Sequence, residues 1–139
     1  MEINEAELIR LAKAAREHAY APYSHFKVGA ALLASDGKIY TGCNVENASF
    51  GATNCAERTA FFKAVSEGER EFKAIAIVGA PGDTDTKDAC APCGICRQVM
   101  REFCEPKDFS VILEDGKGGA FSMTLEELLP RSFAGESMG

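Results

Sequence analysis

No apolar run in the chain approaches the about 20 residues that a membrane-spanning helix needs. The first residues, Met1-Glu2-Ile3-Asn4-Glu5, are acidic where a secretory signal would be basic. Both absences argue against a membrane span and against export. A basic surplus is missing too. The formal charge is -6, so nothing draws the chain broadly to phosphate backbones, and nucleic acid is not an expected partner. The densest basic stretch, Arg97 to Lys107, contains Glu102 and Glu105 and reads as a solvated face. Low-complexity tracts and internal repeats are also absent, which leaves an ordinary globular composition, 46% hydrophobic and 26% charged. At 139 residues a single domain spanning 1–139 is expected, large enough to bury roughly 68% of its unfolded surface without disulfide staples.

What the chain does have is six cysteines, Cys43, Cys55, Cys90, Cys93, Cys96 and Cys104. With no mark of secretion, a cytoplasmic location is expected, where thiols stay reduced and clustered cysteines point to metal or redox chemistry.

The hydrophobic pattern predicts alternating helices and strands. Asn4 with Glu7 is a capping pattern, and Leu8, Leu11, Ala12 and Ala15 keep helical spacing, so a helix is expected from about 4 to 19. Val28–Ala34 and Ile39–Asn44 flank the turn Ser35-Asp36-Gly37-Lys38 and read as a hairpin. A second helix is expected from Asn54 to near Gly68, then a doubly covered strand over Phe72–Gly79. Pro81 to Ala91 reads as loop, and Pro92 opens a helix over Cys93–Phe103. Phe109–Leu113 and Ala120–Met123 supply two more strands, and Thr124 with Glu127 caps a last short helix ending at Pro130. Helices interleaved with buried strands predict an α/β layered sheet.

Cys93-Gly94-Ile95-Cys96 sets two thiols one helical turn apart, a spacing that suits one tetrahedral ion or a redox pair. A structural zinc knuckle and, less readily, a thioredoxin-like dithiol also fit it. Cys55-Ala56-Glu57 shifts the balance, because a third thiol stands two residues before a carboxylate at the mouth of another predicted helix. Three protein ligands leave an open position for water, the arrangement of catalytic rather than structural zinc. Cys90 is the nearest candidate to close the site, with Cys43, Cys104 and His25 remoter. Helix N-termini favour thiolates at both places. Glu57 is open to two readings, since Asn54-x-x-Glu57 also fits a helix cap. Arg58 beside it is a candidate donor to ligand sulfur, drawing off the net negative charge of three thiolates.

Cys55-Ala-Glu57 with Pro92-Cys93-x-x-Cys96 resembles the zinc nucleoside deaminases, whose signature is H-x-E with P-C-x-x-C. Here Cys replaces His. That departure, together with the segments Pro22–Ala31, Gly42–Ala48 and Cys96–Val99, resembles the small all-thiolate cytidine deaminases, over about residues 5–133. A short tail, 134–139, would follow.

The resemblance implies a three-layer α/β fold, a mixed five-stranded sheet flanked by helices, and a homotetramer whose active sites lie at subunit boundaries. It implies one zinc per subunit on Cys55, Cys93 and Cys96, and Glu57 as proton shuttle. Asn44 and Glu46 match ribose-binding positions, and Phe26 matches one that packs on the nucleoside. Asn47 and Ala48 complete that substrate segment, and the Ala56 N–H matches a donor to the base carbonyl. Phe50 and Phe133 match aromatics that reach a neighbouring subunit's site, and Ala91 stands where Ser is frequent. The loop from Pro81 to Ala91 is longer than the resemblance would suggest. The implied reaction is hydrolytic deamination of cytidine, deoxycytidine or both in pyrimidine salvage. The rival readings are a blasticidin-S-type deaminase, against which Glu46 argues, and a non-catalytic zinc-stabilised interaction module closed by Cys90.

Overall fold

The computed structural model describes residues 2–135; the expected tail beyond 135 lies outside them. Asn4 caps the first helix, α1 (Glu5–Arg16), its side chain accepting from the Glu7 N–H at 3.1 Å. The helix ends three residues sooner than its periodicity predicts. His18 and Ala19 bond back only three residues, and Tyr20 N–H turns to the Asn44 carbonyl at 3.0 Å, so the chain leaves the helix to flank the sheet.

Five strands follow: β1 (Phe26–Ala34), β2 (Ile39–Cys43), β3 (Phe72–Pro81), β4 (Ser110–Glu114) and β5 (Ala120–Thr124). Their order is β2-β1-β3-β4-β5. Only β3 and β4 run parallel, joined by a helical crossover, so the sheet is mixed as expected. β3 lies at the centre and is buried along nearly its whole length, which explains its unbroken apolar run.

Alternation along the strands divides the core into two layers. Leu8 and Ala12 of α1 cover one face with Ala31, Leu33, Ala76, Val78 and Ile112. The helices α2 (Ala56–Ser66) and α3 (Gly94–Phe103) cover the other, over Ala30, Leu32, Ile75, Ile77, Phe61, Met100 and Val111. A short α4 (Leu125–Leu128) closes this side, started by the expected Thr124–Glu127 capping box. Gly42 sets how closely α2 approaches: a Cβ there would stand 2.5 Å from the Ala56 carbonyl oxygen and 2.6 Å from the Ala60 nitrogen. The start of α2 is thereby pressed onto β2, beside the start of α3.

Candidate metal centre and adjoining pocket

Cys55 and Cys93 are the N-cap residues of α2 and α3, both in extended backbone conformation, and Cys96 lies in the first turn of α3. The Cys96 N–H donates to Cys93 Sγ at 3.4 Å, the use of a thiolate at a helix start that the dipole favours. Cys55 and Cys93 sulfurs are 3.7 Å apart, Cys93 and Cys96 sulfurs 3.4 Å, and all three lie within 4.8 Å of one another. Tetrahedral zinc with bonds of about 2.3 Å sets its sulfurs about 3.8 Å apart, so the triad fits one ion. Cys90 is not part of this group. Its sulfur packs against Gly79, and burial pushes its thiol up to about 11.

The sulfurs are electrostatically unequal. Cys55 is held down to about 5, first by the hydrogen bond from Cys96 and then by Arg58, whose Nη2 donates to Cys55 Sγ at 3.3 Å. Cys96 is pushed far up by the same bond and by burial. Arg58 therefore stands where the sequence placed it, on a ligand sulfur.

Glu57 is 4% exposed. Burial pushes its carboxyl up to about 7, with the Cys55 charge adding to the rise. It forms no capping box with Asn54: α2 begins at Cys55, and Asn54 donates its Nδ2 to Thr59 Oγ1 at 3.1 Å. The capping box that Asn54-x-x-Glu57 would form is thus absent, while the Glu57 backbone N–H and the Cys96 thiol bond the carboxyl and oppose part of its rise.

The adjoining pocket, about 250 Å³, is lined by Phe26, Asn44, Glu46, Ala56, Glu57 and Cys90, among others, and by Cys55 and Cys93 of the triad. Asn44 is fixed by β1, accepting from Val28 N–H at 2.9 Å and donating one amide hydrogen to the Phe26 carbonyl at 2.8 Å. Its second amide hydrogen remains for a ligand. Glu46 accepts from the backbone N–H groups of Tyr23 and Ser24 and from the Ser24 hydroxyl, which holds it below the ordinary carboxylate range.

Four expected substrate residues do not line this pocket. Asn47 and Ala48 lie beyond it, Asn47 bonded through its N–H to Thr53 Oγ1 at 3.1 Å and through its Oδ1 to Ser49 N–H. Phe50 is 79% exposed, edge-on to Tyr23 at 6.4 Å, and Phe133 is 58% exposed, its carbonyl accepting from Gln98. Thr53, and Asn54, which the sequence marked only as a capping candidate, do line the pocket. Their one signal is position, immediately before Cys55.

A family model described as the cytidine and deoxycytidylate deaminase zinc-binding region matches residues 2–112. The cytidine deaminase of Sporosarcina psychrophila is 54% identical over 132 residues, covering 95% of this chain and 93% of its own. That of Halalkalibacterium halodurans is 55% identical over 131 residues, covering 94% and 95%. The crystal structure of cytidine deaminase from Burkholderia pseudomallei matches this fold with a TM-score of 0.84 at 53% identity, covering 94% of this chain and 100% of that one. The match runs through the triad and far past it along the chain, so the protein belongs to the cytidine deaminase family of zinc-dependent hydrolases.

Proposed function

We propose that the chain hydrolyses cytidine, deoxycytidine or both to the corresponding uridine nucleoside, releasing ammonia, within pyrimidine salvage. The observation that carries this reading is a metal-fitting thiol triad beside a pocket that also holds the buried carboxyl of Glu57. Zinc held by Cys55, Cys93 and Cys96 supplies a Lewis acid that lowers the pKa of water from 15.7 towards about 7.

The protein's own groups do the rest. Glu57 takes one proton from the attacking water and delivers it to N3 of the base as the oxygen adds to C4. It then carries the remaining hydroxyl proton to the 4-amino group. The C4–N bond breaks with its electron pair on nitrogen, and C4 keeps the oxygen as a carbonyl. A carboxyl pushed up to about 7 both accepts and returns a proton near neutral pH, as a shuttle requires. The Ala56 N–H holds the base carbonyl, Asn44 and Glu46 bond the ribose hydroxyls, and Phe26 packs against the nucleoside.

Phe50 and Phe133 are exposed outside their own chain's pocket, which supports a homotetramer in which they complete neighbouring sites. All six cysteines are free, which supports a reducing, cytoplasmic setting. Among the described residues no helix is long and apolar enough to cross a membrane.

Loss of cytidine absorbance, measured with metal-quantified protein, tests the reading. Glu57→Gln should keep its zinc and lose about 10²- to 10⁴-fold in turnover, and Cys90→Ala should keep its zinc. Full zinc content without turnover of either nucleoside in the unaltered protein, or loss of zinc in Cys90→Ala, would favour a non-catalytic zinc module.

A further inference from the structure

Arg16, the last residue of α1, is charged yet only 6% exposed, on the sheet face away from the thiols. A cation so placed is costly unless its N–H groups are bonded. Four backbone carbonyls accept from it: Nε donates to Lys27 at 3.0 Å, and Nη2 donates to Ala80 at 3.1 Å and to Pro81 and Thr84 at 2.8 Å. Lys27 and Ala80 face each other at the end of the β1–β3 ladder, as Phe26 faces Pro81. Thr84 closes the first turn of the following loop, its N–H on the Pro81 carbonyl at 2.9 Å. One guanidinium therefore ties together the start of β1, the end of β3 and the entry of loop 82–91.

These three segments carry a wall of the pocket. Phe26 begins β1, and the loop delivers Cys90 and Ala91. Phe26 and Cys90 meet over Gly79, where a Cβ would stand 2.9 Å from Phe26 Cε1 and 2.7 Å from Cys90 Sγ. Asn44 grips the same start of β1 from the pocket side.

We infer that Arg16 is a positioning residue for the nucleoside, clamping from behind the sheet the strand start and the loop that hold Phe26 and Cys90 against the substrate. The inference rests on the nucleoside reading of the pocket. A lysine cannot replace the clamp in full, because an ammonium offers three donors on a flexible stem where the guanidinium offers five in a rigid plane.

The test is made on zinc-loaded protein. Arg16→Met should retain its zinc and raise KM for cytidine about tenfold, the loss expected from one or two buried hydrogen bonds. Its kcat should change far less, the pattern of lost binding shared by ground and transition states. Arg16→Lys should fall between the two. A second readout needs no turnover: iodoacetamide labelling of Cys90, followed by peptide mass, should quicken about tenfold in Arg16→Met. Labelling of Cys104, buried elsewhere in the core, should stay unchanged. An unchanged KM, an unchanged Cys90 rate, or Cys90 and Cys104 quickening together would overturn the inference and leave Arg16 with a general structural role. If the unaltered protein failed to turn over cytidine, the functional reading would fall, and the Cys90-to-Cys104 labelling ratio would still decide the role of Arg16.

Discussion

The Cys55 thiol is held down first by the hydrogen bond from Cys96 and then by Arg58, which lies three residues after it on the same turn of α2. At neutral pH a sulfur held to about 5 is already a thiolate, whereas Cys96, pushed far up, must give up a proton to ligate metal. Zinc uptake therefore releases protons, and affinity should fall as pH falls. Removing the guanidinium lets the Cys55 pKa rise, so Arg58→Met should weaken zinc binding at pH 7 by about 10- to 100-fold. Chelator competition measures this; equal affinities in the two proteins would show the contact to be idle. The triad was legible because spacing alone sets Cys93 and Cys96 one turn apart and puts Glu57 two residues after a third thiol. The exact cap of α2 was not. Asn54-x-x-Glu57 satisfies the capping pattern as well as a catalytic one, and only the packing of α2 on β2, which carries Asn54 to Thr59, decides between them.

Element by element, local signals located nearly every helix and strand, because each buries an apolar face with its own period. They failed where long-range contacts decide. Nothing within residues 16 to 20 announces that α1 must stop at Arg16; the pairing of Tyr20 with Asn44 does, from 24 positions away in the sequence. The path of loop 82–91 is likewise set by Arg16 and by the meeting of Cys90 with Gly79, so the loop's own polar composition predicts only that it is a loop. Gly42 is the same kind of signal at the start of α2. Its missing side chain leaves room for the Ala56 carbonyl and the Ala60 nitrogen, both backbone atoms that cannot rotate aside. Gly42→Ala should cost about 1–3 kcal/mol through overpacking, read as a lower urea midpoint with an unchanged slope. An unchanged midpoint would mean that α2 shifts freely on β2, in which case the helix does not hold Cys55 in place.

At the scale of the whole molecule, the pocket that holds Glu57 is lined by neither Phe50 nor Phe133 of the same chain. Phe133 is 58% exposed and lies outside the pocket that holds Glu57, a position that the sequence relates to a second copy only through the family resemblance. If the proposed tetramer shares its sites, Phe133 acts on a neighbour's Glu57 and the two residues need not belong to the same chain. Phe133→Ala should then lower kcat/KM about tenfold or more, the effect of losing a buried aromatic anchor at an interface. Glu57→Gln should be nearly inactive for its own reason. When the two variants are co-assembled, chains with Glu57→Gln lend their intact Phe133 to neighbours that still carry Glu57. Random assembly from equal amounts restores about half of those Glu57-bearing sites, because each takes its neighbour from either pool in a symmetric oligomer. Size-exclusion chromatography and activity of the mixture, against the two variants assembled apart, measure this together. A mixture no more active than the mean of its parts would place Phe133 in its own chain's site or in none, and a monomeric mass would remove shared sites altogether.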